Sequence, residues 1–469
     1  MNAPSTTPRL MIAGLSGSSG KTLLSLGMLL SGQLYGWRVC AFKKGPDYID
    51  PAWLSWAAGR PAHNLDTFLM GHDGAAAAFA AHSLPGALNL IEGNRGLYDG
   101  FDAQGTHSTA ELAKTLKAPV VLVLDATKVT RTAAAMVLGC QRLDPEVNIA
   151  AIILNQVCGP RHEGVLRQAI ETACGIPVLG AVPRVAARLL PERHLGLVVP
   201  EDFPNREDLR AALAQLVEGK LEFDKLWSLA CRAPDLDPPA QSSPLLPDGK
   251  GLRIGYLRDS AFTFYYPENL DVLRAAGAEL IPISALSAAA LPEGLDALYM
   301  GGGFPEVHAQ GLAANASFLA SLRGAAACGL PIYAECGGLM LLGRAITWQG
   351  KRHLMAGVLP FEVQVSARPQ GHGYTELCVD KANPFFPVGL VLWGHEFHYS
   401  ALLADGGLPA TVCAVRRGAG CGSGRDAVVA GNVWASYTHL HALATPEWAA
   451  GMLRAAARFA ARGMCTSPS

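Results

Sequence analysis

Short apolar runs recur along the chain, each closing on a polar or glycine-rich turn and followed by a stretch of helical character. Arg9-Leu-Met-Ile-Ala13, Ala87-Leu-Asn-Leu-Ile-Glu92, Val120-Val-Leu-Val-Leu-Asp125, residues 149–154 and the run inside Gly175-Ile-Pro-Val-Leu-Gly-Ala-Val-Pro-Arg184 read as buried strands. Strands alternating with helices predict an α/β fold with a doubly wound parallel sheet, whose ligands lie at the carboxyl ends of the strands. Between Cys231 and Gly251 the text turns proline-rich and loses periodicity, which marks a linker. A second α/β pattern starts at Leu252-Arg-Ile-Gly-Tyr-Leu-Arg-Asp259, and an Ala- and Arg-rich helix follows Pro446. The expected organisation is a domain over 1–230, a linker over 231–250, a second domain over 251–447, and a C-terminal helix with a fraying polar tail over 448–469.

Composition narrows the function. The chain has 469 residues, half of them hydrophobic, which is enough for two or three cores. Its net charge is −1 and it holds no long basic run, which argues against nucleic acid as the main ligand. No leader pattern opens the sequence, and no apolar run reaches membrane-spanning length. Eleven cysteines without Cys-x-x-Cys spacing suit reduced thiols in a cytoplasmic enzyme rather than a disulfide framework.

The first candidate site follows the first strand. Gly14-Leu-Ser-Gly17-Ser-Ser19-Gly20-Lys21-Thr22 is a glycine-rich strand-to-helix turn that suits a nucleotide's phosphates. Lys21 would reach the terminal phosphates and the Thr22 hydroxyl would meet Mg²⁺. The strict P-loop pattern has its first glycine where Leu15 stands. Phe42-Lys43-Lys-Gly-Pro-Asp47-Tyr48-Ile-Asp50-Pro gathers a lysine that can neutralise phosphate and acids that can bind Mg²⁺, although surface turns carry such charges too. Glu92 ends a buried strand beside the P-loop, where it would hold Mg²⁺.

A second candidate site lies in the C-terminal half. Pro331-Ile-Tyr-Ala-Glu-Cys336-Gly337-Gly-Leu runs from a strand through a tight turn into a helix, which projects Cys336 as a nucleophile. The competing reading is a core cysteine at a turn. Amides at the helix start would lower the thiol pKa. A strand-like run near the end reaches His439, which can share the thiol proton, with His441 two residues on. The loop Gly301-Gly-Gly303-Phe-Pro-Glu306 offers an oxyanion amide at Gly303, with Gly337 as the second. Gly394-His395-Glu396-Phe-His398 has the wrong spacing for a helical zinc motif.

These motifs resemble known families. Gly-Gly-Gly-Phe-Pro-Glu, Glu-Cys-Gly-Gly-Leu and Ser-Tyr-Thr-His look like a class I glutamine amidotransferase domain of the cobyric-acid-pathway type. The P-loop offset is shared with dethiobiotin-synthetase-like ATPases. The run around Asp47, followed by Asn64-Leu-Asp66, resembles the cobyrinate a,c-diamide synthase family, as do Glu92-Gly-Asn-Arg95-Gly-Leu-Tyr98-Asp99 and Leu189-Leu-Pro-Glu-Arg-His194. The resemblance runs from Gly14 to His441.

That resemblance implies ATP- and glutamine-dependent amidation of acetate carboxylates on an anionic tetrapyrrole, with ATP and Mg²⁺ as cofactors. Asn155 would contact adenine. Asp47, Tyr48, Asp50, Arg95, Tyr98 and Asp99 would lie near the tetrapyrrole. L-glutamine is the nitrogen donor, and a homodimer is the candidate assembly. Arg95 and the Gln370-Gly-His372-Gly segment depart from the family's usual residues, which keeps a sirohydrochlorin or sirohaem ring open beside cobyrinate. Many class I enzymes have Glu where His441 stands, so the third triad member is unassigned. A P-loop switch ATPase, disfavoured by Ser16, and a non-catalytic tetrapyrrole-binding protein are the other readings.

Overall fold

A computed structural model describes residues 6–184, 189–190, 192–193, 196–237, 246–404 and 409–462. His194, the middle of the expected linker (238–245) and the polar tail from 463 lie outside the described residues. Two compact units emerge, Met1–Ser242 and Ser243–Ser469.

The first unit is built on seven parallel strands: β1 (Arg9–Gly14), β2 (Val39–Lys44), β3 (His63–Leu65), β4 (Leu88–Glu92), β5 (Val120–Asp125), β6 (Ile149–Val157) and β7 (Val178–Pro183). Their spatial order is β3-β2-β4-β1-β5-β6-β7. Leu10, Met11, Ile12, Leu90, Ile91, Val121 and Leu122 have no exposed surface, as expected for strands covered on both faces. The chain steps outward on one side of β1 and then on the other, so β1 is the switch point where ligands bind beyond the strand ends. Helix α1 (Lys21–Leu34) starts there. One boundary differs from the sequence reading. β6 continues through Val157, so Asn155 sits inside the strand, beside Asp125 of β5. That extra pairing draws Asn155 toward the P-loop.

The second unit carries a ten-stranded mixed sheet. Arg253–Leu257, Ala297–Met300, Ile332–Glu335 and Val433–Ser436 are neighbouring parallel strands, and antiparallel strands from Arg425–Ala430 onward extend the sheet to His439–Leu440. Alternation divides each central strand between two cores. Leu298, Met300, Ile332 and Ala334 pack with Cys336 and Leu339, whereas Tyr299 and Tyr333 pack with Trp434 and Trp448 on the other face. In the aromatic run of residues 261–269, Phe262 and Tyr266 are buried. The helix after Pro446 spans Pro446–Ala460.

Trp448 is 1% exposed and stacks edge-on against Tyr299 at 5.1 Å. Trp448→Ala is therefore expected to lower unfolding free energy by about 3–5 kcal/mol in urea denaturation. Trp448→Phe, which removes an indole N–H that lacks a partner among the described residues, should cost clearly less.

Candidate active sites

The P-loop of the first unit is held from behind. Gly20 has φ +93°, and a Cβ there would fall 2.1 Å from Asn155 Nδ2, so only glycine fits. Asn155 Nδ2 donates to Ser19 O at 2.9 Å, and its Oδ1 accepts from Gln156 N. The structure thus brings Asn155 to the backbone of the loop, where its carboxamide buttresses Ser19 and Gly20. Gly17 stands in open space at the loop's tip. Lys21 Nζ donates to Ser16 O at 2.9 Å and Arg95 O at 2.7 Å. Burial, then the charge of Lys43, pulls its pKa below the ordinary lysine value.

Four predicted residues meet at the ends of β2 and β4. Lys43 Nζ lies 2.6 Å from both Asp50 Oδ2 and Glu92 Oε1, and the Thr22 hydroxyl donates to Glu92 Oε1 at 2.9 Å. Burial opposes the charge on Lys43, but Asp50 and Glu92 outweigh it and hold the lysine protonated. Burial and the neighbouring Asp50 push Asp47 up to about 7, whereas Lys43 overcomes burial at Asp50 and keeps it ionised. Asn64 Nδ2 ties down this turn by donating to Gly45 O and Asp47 O, each at 2.7 Å. Asp66 caps the Thr67–His82 helix through Phe68 N and Leu69 N. Within the Asn-Leu-Asp motif, Asn64 therefore braces the acidic turn and Asp66 starts the next helix.

The donor set suits a hard divalent cation. Glu92 is fully buried, and its Oε2 has no hydrogen-bond partner among the described residues, beside the Thr22 hydroxyl on Oε1. Oxygen ligands of this kind fit Mg²⁺.

Tyr98 and Asp99, which the resemblance implies near the tetrapyrrole, make backbone contacts in this structure. Tyr98 donates its hydroxyl to Cys140 O at 2.6 Å, and Asp99 Oδ2 accepts from Gly96 N at 2.9 Å. Asp99 thus holds local backbone, whereas Tyr98 reaches a carbonyl 42 residues away. Arg95 has a left-handed backbone (φ +49°) and an exposed side chain, and its carbonyl meets Lys21. Tyr48 is half-buried just before the Ile49–Ala58 helix.

In the second unit Cys336 occupies the strand-to-helix turn with φ +44° and ψ −95°, a strained conformation for a side chain with Cβ. Its amide is pinned to Ser436 O at 2.8 Å. His439 packs against the facing loop: a Cβ on Gly302 would lie 2.6 Å from His439 Cε1. Gly303 has φ +155°, and a Cβ there would strike Ala261 O. A Cβ on Gly337 would lie 3.1 Å from Gly303 N, so both candidate oxyanion amides and the histidine share one corner with Cys336.

The thiol's ionisation runs against the sequence expectation. Burial, then the charges of Glu306 and Glu335, pushes Cys336 above an ordinary thiol, although the Gly337 amide works the other way. A six-residue helix at Gly337–Leu342 does not outweigh that burial.

Three further acids, Glu335, Asp426 and Glu396, are buried in this unit, and neither Glu335 nor Asp426 stood out in the sequence as a site residue. Glu335 Oε2 lies 3.3 Å from His439 Nδ1, and its Oε1 accepts from Leu440 N at 3.2 Å. Asp426 accepts from Tyr437 N and from the Thr438 amide and hydroxyl. Glu396 accepts from Ala419 N and Gly420 N and meets His398, whose ring stacks on Tyr437 at 3.7 Å. His395 pairs across the strands with His439, while His398 Nδ1 turns to Ser400 O, so the two are not arranged as metal ligands. His441 Nε2 faces Glu268 at 3.5 Å. The available signal was an acid inside an otherwise apolar strand, as at Asp426, or beside the nucleophile, as at Glu335.

Known proteins match both halves. The CobQ/CobB/MinD/ParA nucleotide binding domain family matches residues 10–198, and the CobB/CobQ-like glutamine amidotransferase domain family matches residues 253–447. A protein named cobyrinate a,c-diamide synthase from Magnetococcus marinus is 43% identical, over 96% of this chain and 97% of that one. The chain belongs to the cobyrinate a,c-diamide synthase family. Proteins of that name from Dehalococcoides mccartyi (strain 195) and Archaeoglobus fulgidus are 40% and 38% identical, over 96% and 94% of this chain and 99% and 95% of theirs. Membership favours the amidotransferase reading over the switch ATPase, the passive tetrapyrrole binder and the sirohydrochlorin ring. Among the described residues no helix is long and apolar enough to cross a membrane.

Because burial and acidic neighbours raise the Cys336 thiol, its alkylation by iodoacetamide should be slow at neutral pH and keep rising at alkaline pH. Peptide mass spectrometry should find exposed Cys158 and Cys328 modified at least about tenfold faster at neutral pH.

Proposed function

We propose that this protein is a cytoplasmic, MgATP-dependent ligase that amidates the a- and c-acetate carboxylates of cobyrinate, using ammonia released from L-glutamine. The observation that carries this reading is the identity to cobyrinate a,c-diamide synthases across both units of one chain. A homodimer goes with the reading as its expected assembly.

A carboxylate is a poor acyl donor, so its oxygen is first phosphorylated by ATP, with ADP leaving. In this reading Lys21 and Lys43 offset charge on the transferring phosphoryl group. Thr22, Glu92 and Asp47 would hold Mg²⁺, which supplies charge neutralisation when bound. Ser19 and Gly20 present backbone to the phosphates, and Asn155 keeps that backbone in place. Asp50 keeps Lys43 charged and aimed at the cluster.

The second unit supplies ammonia. Cys336 Sγ attacks the carboxamide carbon of glutamine as His439 takes the thiol proton. The amides of Gly303 and Gly337 receive the oxyanion. His439 returns the proton to the leaving nitrogen, the C–N bond breaks, and ammonia departs. Water then hydrolyses the thioester to glutamate. Ammonia attacks the acyl phosphate, phosphate leaves, and the amide is formed. Repetition on the other acetate gives the diamide.

Purified protein given cobyrinate, MgATP and glutamine should yield the monoamide and then the diamide by mass spectrometry; no product with either glutamine or ammonium would overturn the reading. Cys336→Ala should lose glutamine-dependent synthesis by orders of magnitude yet keep synthesis with high ammonium at alkaline pH. Lys21→Ala should abolish amidation with either nitrogen source while slow glutamine hydrolysis remains. Full ligase activity in Lys21→Ala would remove the P-loop from the mechanism.

A further inference from the structure

The residue two places after His439 is itself a histidine and faces Glu268, so it leaves the back of the His439 ring to another group. Glu335 is that group. It is the last residue of the Ile332–Glu335 strand, directly before Cys336, and it is fully buried. His439 is 2% exposed, with Nδ1 3.3 Å from Glu335 Oε2. The opposite edge of the ring faces the Gly302 loop, where a Cβ would lie 2.6 Å from Cε1 and 3.4 Å from Nε2.

We propose that Glu335 is the positioning residue of the glutaminase site, fixing His439 with its proton on Nδ1 so that Nε2 receives the proton of Cys336. The inference rests on the glutaminase reading given above. The carboxylate is itself over-determined. Leu440 N donates to Oε1 at 3.2 Å, and the Tyr299 hydroxyl donates to Oε2 at 3.4 Å. An acceptor on Nδ1 forces the neutral imidazole into the tautomer whose Nε2 carries a lone pair. When Nε2 takes the thiol proton, the ring becomes a buried cation, and the adjacent carboxylate stabilises it without accepting the proton.

Placement on the nucleophile's own strand makes the arrangement stiff. Ala334 and Glu335 pair in register with Ala435 and Ser436 of the strand that leads to His439, and Cys336 N is held by Ser436 O. Orienting acid, nucleophile and base are therefore tied by one pair of hydrogen-bonded strands. Other titratable groups around the pair are Tyr299 and Tyr333, kept neutral by burial, and His395, whose ring lies 5.0 Å from that of His439. Burial, then His439 and His441, holds His395 far below the ordinary histidine value, so it supplies no competing charge.

The test separates this role from simple electrostatics. As a mere neighbour, Glu335 disfavours the Cys336 thiolate, and its neutralisation would speed reaction at Cys336. As the positioning residue, its neutralisation removes the base. Glu335→Gln should therefore lower kcat for glutamine hydrolysis by about a hundredfold or more, with KM for glutamine nearly unchanged. The remaining activity should climb into alkaline pH, where the thiol ionises without His439. Glu335→Asp, which keeps the charge, should retain more activity and the wild-type pH profile.

Ammonium-dependent amidation by the same preparations should match wild type. Its absence in the wild-type enzyme would point to failure of the ligase reading instead. Unchanged or faster glutamine turnover in Glu335→Gln, or an unmoved pH profile with equal losses in both activities, would overturn the proposal. If Glu335→Gln fails to fold, Glu335→Asp carries the decision: a displaced pH profile there also overturns it.

Discussion

A carboxylate taken out of water is costly unless cations or donors meet it, and each unit buries one at the end of a parallel strand. Glu92 ends β4 in the first unit and Glu335 ends the nucleophile's strand in the second, each with no exposed surface. Glu92 is met by Lys43 and the Thr22 hydroxyl, and Glu335 by His439, the Leu440 amide and the Tyr299 hydroxyl. Satisfying the acid fixes the reactive neighbours in both places. Lys43 cannot leave the ends of β2 and β4 without stranding two acids. His439 cannot rotate without leaving Glu335 short of a donor. Positional precision in these sites follows from electrostatics that are only satisfied in one arrangement.

The same logic explains why glycines cluster around the charged groups. Gly20 admits the Asn155 carboxamide, and Gly303 passes under Ala261 O. At each place neighbouring protein atoms come too close for a Cβ. Cys336 is the exception, a residue with a Cβ held in a strained conformation. Flanking pairings to Ser436 O and within the following helix keep it there.

How much of this was legible depended on how far apart the partners lie in sequence. The P-loop and the cysteine turn were readable because their chemistry is local: glycines, lysine and threonine in one turn, or strand, cysteine and glycines in another. The acid at the end of β4 was readable from an apolar run ending in Glu92. The Tyr98 hydroxyl meets a carbonyl 42 residues away, a contact that no local pattern announces. Asn155 was placed at the adenine on resemblance; its strand runs on to Val157 and brings the side chain onto Ser19. The link between Glu335 and His439 spans 104 residues, and only the pairing of their strands reveals it.

The direction of the thiol's shift was missed for the same reason, and it bears on how the glutaminase works. Amides at the helix start are visible in sequence and favour a thiolate. The burial of Cys336 and the reach of Glu306 and Glu335 are not visible there, and they favour the thiol more strongly. A buried, protonated cysteine is a poor nucleophile on its own, so its reactivity depends on a base already in position. In the proposed glutaminase reaction, proton transfer to His439 would accompany attack on glutamine, in place of a standing thiolate–imidazolium pair. Such a site is protected from adventitious oxidation and alkylation, which act on the thiolate. Under that proposal turnover would depend on the orientation of one imidazole, whose Nδ1 lies 3.3 Å from the buried acid beside Cys336.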